Sequence, residues 1–461
     1  MEDLLEVSAL EQARLVRTRE VSAEDLARLY LGRIATRNDA LQAFVTVFGE
    51  RALRAARAKD RETRSGSAAD LPPFHGVPIG IKDLNGVRGS FGRLGSRAFR
   101  YLFWPVDDPS VAQIRRGGFV FLGKLATSEL GALPVTEPDL HPPTRNPWDL
   151  EVTPGGSSGG SGAAVAARLI PLAHGSDGAG SIRIPSSFCH LFGLKPSRGR
   201  VPNFIERGDR TMTTCGPLAR TVEDAAAMLD VQAGVTVGKP SRAPLPEAPF
   251  LDLARRRPGP LKIRFTTTSR LTGTTPEIDR AVRSVATCLE GQGHHVEEGP
   301  TPEGDLAEFL PLWQHLIAHA PILRPSVLQP VTRWLYLAGK KLDGKVVMAR
   351  RAELERRVLE WFGDADLWVT PTVAVPPPRI GAWRDLPPEE AFTAAAALGA
   401  FTAIFNVSGQ PAASLPIAVS AEGHPIGVQL AGRPLGDGTV LSVARAVEEA
   451  LPWSGRRPPG P

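Results

Sequence analysis

The chain has 461 residues, 42% hydrophobic and 22% charged, a balance typical of a soluble globular protein able to bury a core. Its net charge of +5 arises from 54 basic and 49 acidic residues that are interspersed, with only short basic runs such as Arg255–Arg257, so no nucleic-acid surface is expected. The three cysteines, Cys189, Cys215 and Cys288, are far apart without a CxxC, which argues against a disulfide framework and a zinc site. The acidic, amphipathic N-terminus lacks a signal-peptide core, and no segment approaches 18 uninterrupted apolar residues. A reducing, cytoplasmic, membrane-free setting is the expectation.

The first sixty residues read as helices. Ser8 and Ser22 each precede a carboxylate by three positions, the pattern of a capping box. Leu26, Leu29, Tyr30, Arg33 and Ile34 then recur at helical spacing. Residues 60–73 read as a polar loop. Val77, Ile79 and Ile81 alternate as in a strand, which Lys82 ends beside Asp83. Gly118 to Lys124 matches the GxxxxGK spacing of a phosphate loop, but its four inner residues are bulky and apolar, and Leu125 stands where a Ser or Thr is needed. A buried strand is expected there instead.

Thr153–Pro185 is the most distinctive stretch, with serines set among glycines in two clusters, Ser157/Ser158/Ser161 and Ser176/Ser181. Such small residues let backbones approach closely and leave N–H groups free for a ligand. A helix is expected over 159–169 between the clusters, then a strand over 169–174. Further along, a capped helix starts at Thr221 and residues 234–260 form an irregular connector. A strand over 261–265 and a helix over 276–291 follow, then a helical excursion over 305–362 and a strand over 366–371. Segments at 400–406, 412–419 and 427–430 and a helix over 439–451 close the chain. Strands alternating with helices, without a long linker, indicate an α/β fold in a single domain over 1–461.

A serine needs a positioned base to become a nucleophile. Gly155-Gly-Ser157-Ser-Gly159 satisfies GxSxG, but a proline-broken segment precedes it where a nucleophile elbow needs a strand. The second cluster suits the chemistry better. The N–H groups from Gly178 through Ala179 and Gly180 to Ser181 form a possible nest for a developing oxyanion. Lys82, if buried enough to lose its proton near neutrality, could act as base with Ser157 as relay. Spacing alone leaves open whether Lys82, Ser157 and Ser181 form a unit or are unrelated residues in glycine-rich turns.

The stretches Gly80-Ile-Lys82-Asp83, Thr144-Arg-Asn-Pro-Trp148, Thr153-Pro-Gly-Gly-Ser157, Asp177-Gly-Ala-Gly-Ser181-Ile-Arg183, Gly193-Leu-Lys-Pro196, Thr370-Pro-Thr372 and Gly427-Val-Gln-Leu430 occur in an order that resembles the amidase signature enzymes. The resemblance is densest over 74–230. It implies a large mixed twisted sheet covered by helices in an α/β/α domain. It also implies Ser181 as acylated nucleophile, Ser157 as a bridging serine on a cis peptide and Lys82 as base. By the same resemblance, backbone donors around Gly178–Ser181 form the oxyanion hole, and Ser158, Asp177 and Arg183 support the loop. The implied substrate is a small-molecule amide, with no cofactor and no metal; homodimerisation is open. A glutamine-dependent transamidation subunit, an acyltransferase using the same residues and a non-catalytic homologue are the alternatives. The 197–216 segment lacks the Tyr-Gly run expected of the transamidation subunit.

Three departures from the pattern carry expectations. Ala179 replaces a commoner glycine, so its φ should be negative, since a positive value would bring a steric cost of about 1 kcal/mol. Ser186 and His190 replace alanine and glycine, and His190 is expected to be structural. Cys189 and Cys215 are expected to pack rather than react. An acyl pocket is expected from residues 202–214, the 305–362 helices and the 371–380 loop, with Phe309, Leu312, Trp313 and Leu316 on one helical face.

Overall fold

The structure, a computed structural model, describes residues 2–202, 212–238 and 242–459. Its strands are β1 (Phe44–Val47), β2 (Pro78–Lys82), β3 (Ser90–Phe91), β4 (Phe103–Trp104), β5 (Val120–Leu125), β6 (Leu172–Asp177) and β7 (Phe192–Lys195). They continue with β8 (Thr214–Ala219), β9 (Lys262–Phe265), β10 (His295–Glu298), β11 (Leu367–Pro371), β12 (Ala412–Val419) and β13 (Pro425–Gly432). Apart from the small β3–β4 pair, all join one 11-stranded sheet in the order β1-β5-β2-β6-β8-β7-β12-β13-β11-β9-β10. It is mixed: β2 runs parallel to β5 and β6, whereas β8 is antiparallel to β6. Helices surround it, giving the expected α/β/α architecture.

The central strands are covered on both faces, and every residue of β2, β5, β6 and β8 is buried. That is why the Gly118–Lys124 stretch runs into β5 as a core strand with no phosphate cradle. The helix Pro276–Gly291 matches its expected bounds. Ser8 and Ser22 accept hydrogen bonds from the backbone N–H groups of Glu11 and Asp25 as the capping pattern required.

Helix starts also receive acids from distant segments. Asp224 accepts from the N–H groups of Ala9 and Leu10, Asp60 from Ala23 and Glu24, and Asp230 from Phe250 and Leu251. A carboxylate at a helix N-terminus satisfies orphan donors and complements the helix dipole. The last pair explains a helix, Phe250–Arg255, inside the expected 234–260 connector.

Other boundaries move as well. The first sixty residues include β1, and the helix Gly49–Ser65 runs into the expected 60–73 loop. The helix expected over 159–169 ends at Ala166, the chain turns through a left-handed Arg168 (φ +56°), and the following strand is Leu172–Asp177 rather than 169–174. Pro171, with no N–H to donate to a ladder, stands just before that strand. No helix among the described residues is long and apolar enough to cross a membrane.

Candidate active site

β2 and β6 lie side by side, with Gly80 opposite Ala173 and Ile81 opposite His174. This pairing brings the end of β2, Lys82, against the end of β6. Lys82 is completely buried; its Nζ donates to Ser157 Oγ at 2.7 Å and to the carbonyl of Ser176 at 3.1 Å. Burial removes the hydration that stabilises an ammonium, and although the Asp177 charge pulls the other way, the Lys82 pKa falls to about 7. An amine with that pKa exchanges its proton near neutral pH.

Ser157 follows a cis Gly156–Ser157 peptide bond and is itself 1% exposed. The glycines of its turn and of the helix Gly159–Ala166 that follows are packed too tightly for side chains. A Cβ at Gly160 would stand 2.4 Å from the Ala126 nitrogen, a backbone atom with little room to shift. The neighbouring Ser158 Oγ donates to the Ser176 carbonyl at 3.2 Å, and the Ser158 N–H donates to the Ser181 carbonyl at 3.2 Å. The two serine clusters are thus tied together through their backbones.

The turn after β6 is built on Asp177. Its carboxylate accepts from the N–H groups of Gly180 (2.7 Å) and Ile182 (3.1 Å) and takes both Nη2 and Nε of Arg183, at 2.9 and 3.0 Å. Burial opposes its ionisation, but the Arg183 guanidinium, with Lys195 and Asn406, holds its pKa well below the usual carboxylate range. A bidentate, fully buried pair of this kind fixes geometry. It also corrects one expectation: the Gly180 N–H is bonded to Asp177, so the nest of four consecutive free donors reduces to Gly178, Ala179 and Ser181. Gly180 has φ +126°, and a Cβ there would meet Thr402 Oγ1 at 2.3 Å. Ala179 is not among the residues with positive φ. The strain at this turn therefore falls on the glycine, as the departure at Ala179 required.

Arg183 is held in turn by residues that carried no sequence signal of this role. Its Nη1 donates to the Thr402 carbonyl at 2.9 Å and to Gln429 Oε1 at 2.7 Å, and its Nη2 to Asn406 Oδ1 at 2.6 Å. Asn406 closes the loop by donating to the Asp177 backbone and side chain, both at 2.9 Å. Gln429 lies within Gly427–Leu430, whereas Asn406 stands in a helix more than two hundred residues from Asp177 with no local pattern to mark it.

Ser181 is 7% exposed and, with Ala179, lines a cleft of about 790 Å³ including its open mouth. Phe309 and Trp313 line it as expected, but Leu312 and Leu316 do not. Leu306, Phe309 and Trp313 follow helical spacing on one stripe, and Leu312 is turned into the core. Most of the remaining wall comes from 131–134 and 392–407, with Leu271 and Leu354 beside them, and none of it from 371–380. Of the expected 202–214 wall, residues 203–211 lie outside the described residues. No lysine or arginine lines the cleft, and Asp305 is its one acid among the described residues.

The remaining residues singled out in the sequence lie elsewhere. His190 stacks obliquely on Trp148, 5.3 Å between ring centres, in a separate cleft. Burial pushes the thiols of Cys189 and Cys215 far up, so both stay protonated and pack as small apolar groups. No cluster of metal-ligating side chains occurs among the described residues.

Comparison with known proteins agrees with this construction. The amidase family model matches residues 25–441. The chain belongs to the amidase signature family. Over 483 residues it is 36% identical to the 6-aminohexanoate-cyclic-dimer hydrolase of a Pseudomonas species, covering 98% of this chain and 96% of that one. A solved structure of 6-aminohexanoate cyclic dimer hydrolase complexed with substrate superposes with a TM-score of 0.89 at 32% identity, covering 99% of both chains. The peptide amidase of Stenotrophomonas maltophilia gives 0.81 at 25% identity, covering 99% of this chain and 98% of that one. These relatives are hydrolases of carbon–nitrogen amide bonds, and this family member is an enzyme of the same class.

Proposed function

We propose that the protein hydrolyses a small-molecule carboxylic amide through an acyl-enzyme on Ser181. The observation that carries this reading is the buried Lys82, with Nζ 2.7 Å from Ser157 Oγ and a pKa brought down to about 7. Neutral Lys82 accepts the Ser157 proton, Ser157 accepts that of Ser181, and Ser181 Oγ bonds to the amide carbon. No Ser157–Ser181 hydrogen bond is formed in the resting site among the described residues, a contact that in such relays often tightens only with substrate bound. The oxyanion formed in that step is met by the N–H groups of Gly178, Ala179 and Ser181, each such donor contributing roughly 10²–10³ in rate. As the C–N bond breaks, Ser157 returns the proton to the leaving amine. Water then attacks the ester by the same relay, releasing the acid and restoring Ser181.

The apolar cleft walls favour an aliphatic or aromatic acyl group over a charged one. A screen of aliphatic, aryl and peptide amides against the wild type and Ser181→Ala tests this. Turnover concentrated on apolar acyl groups and lost in the variant is expected. Full activity in Ser181→Ala would overturn the mechanism.

A further inference from the structure

The helix Arg183–Phe188 begins just after Ser181, and the chain leaves it through Cys189 and His190 into a second, smaller cleft of about 260 Å³ including its mouth. The amide chemistry does not use this cleft. Arg168, Arg220, Arg456, His190, Trp148 and Trp453 line it. Arg220 is 7% exposed; its Nη2 donates to the Val7 carbonyl at 2.6 Å, while its Nη1 has no hydrogen-bond partner. His190 is 6% exposed and lies against the Trp453 backbone.

Buried polar groups in folded proteins are almost always satisfied, and a guanidinium donor without an acceptor is costly to keep. The acids nearby do not fill this need. Glu6 is shared between Arg168 at 3.3 Å and Arg457 at 3.2 Å, and the Asp224 oxygens already accept from Ala9 and Leu10. Arg456 is exposed and reaches the Ile417 carbonyl at 3.1 Å through one nitrogen. Burial, with the charges of Arg456 and Arg168 against a weaker pull from the Trp453 backbone, brings His190 down to about 4. Its ring is therefore neutral near pH 7 and adds no charge to the cleft. Arg168 also donates through Nη1 to the Ala166 carbonyl at 3.0 Å. Three guanidiniums thus line one small space, and the buried Nη1 of Arg220 is the donor left unfilled there among the described residues.

We propose that this cleft binds a tetrahedral oxyanion, either free or as the phosphate group of a small metabolite. Arg220 Nη1, Arg168 and Arg456 supply charge-assisted donors, and Trp148 and Trp453 flank any group that the phosphate carries. The binding is independent of the amide chemistry and requires none of Lys82, Ser157 or Ser181.

Titration calorimetry on the full chain, near neutral pH and at constant ionic strength, tests the site with inorganic phosphate and phenyl phosphate as probes. Saturable one-to-one binding is expected in the wild type and in Ser181→Ala, the latter excluding the amide cleft as the site. Arg456→Ala, at an exposed position, and Arg220→Gln should each weaken it about tenfold or more, the loss of one charge-assisted contact. Tighter binding of phenyl phosphate would identify a phosphate ester as the ligand, and equal binding the free anion. Absence of saturable binding of either probe up to roughly 10 mM would overturn the proposal. So would binding unchanged in both arginine variants.

Discussion

The two faces of the sheet each bury a lysine next to β2. Lys124 on β5 pairs in register with Ile81, one residue before Lys82, so the two ammonium groups point to opposite faces. Lys124 reaches Asp83 Oδ1 at 3.2 Å and the Asn85 carbonyl, with the buried His174 beneath the same face hydrogen-bonded to Ser110. Lys82 meets only a hydroxyl and a carbonyl; among the described residues no carboxylate lies within ion-pair distance of it. Burial lowers the pKa of both, but for Lys124 the Asp83 carboxylate directly opposes it. For Lys82 the neighbouring acid, Asp177, is already bonded to Arg183. Depth alone therefore does not make a base. A lysine paired with a carboxylate is committed to holding structure, and one left with neutral partners can give and take a proton.

Exchanging each lysine for methionine, which keeps most of the packing volume, is the sharpest way to break this contrast. Lys82→Met should lower kcat/KM by roughly 10²–10⁴-fold, the usual range for a lost general base, with the unfolding midpoint held or raised. Lys124→Met should do the reverse. It leaves Asp83 buried without its cation, a loss of about 3–5 kcal/mol in chemical denaturation, while the folded fraction keeps kcat/KM within about tenfold of wild type. An active Lys82→Met or a stable but inactive Lys124→Met would erase the distinction.

The pH profile sharpens the contrast further. A base must be neutral to accept a proton, and Lys82, the proposed base, is half protonated at about 7. Hence kcat/KM should fall about tenfold per pH unit below that value and level off above it, where the amine is free. Lys124 should add no limb of its own, so Lys82→Met should flatten the profile. The smallest effect is expected at Ala179. Its φ lies outside the positive region, so Ala179→Gly gains no relief from strain. It should change kcat/KM within about twofold and cost up to ~1 kcal/mol through added freedom of the unfolded chain.

Local chemistry explains which features were legible beforehand. The glycine–serine clusters, the strand ending in Lys82 and the capped helix starts at Ser8, Ser22 and Thr221 are written in adjacent residues. The partners of Arg183 are not, because Asn406 and Gln429 arrive from more than two hundred residues away. The short helix at Phe250 was hidden for the same reason, its cap being the carboxylate of Asp230 on a preceding helix. The pocket walls depend on how the 306–318 helix rotates against its neighbours, which turns Leu312 inward and brings 392–407 to the cleft. The Gly180 N–H could not be assigned from spacing either, since its engagement depends on where the Asp177 carboxylate turns.

The proposed carrier of the acyl group is Ser181, and neither the GxSxG serine Ser157 nor a cysteine. Intact-protein and peptide mass spectrometry after treatment with a fluorophosphonate tests it most directly. A single adduct on Ser181, formed in step with loss of activity and absent from Ser181→Ala and strongly slowed in Lys82→Met, is the predicted result. An adduct on Ser157, Cys189 or Cys215 that tracks inactivation would contradict it.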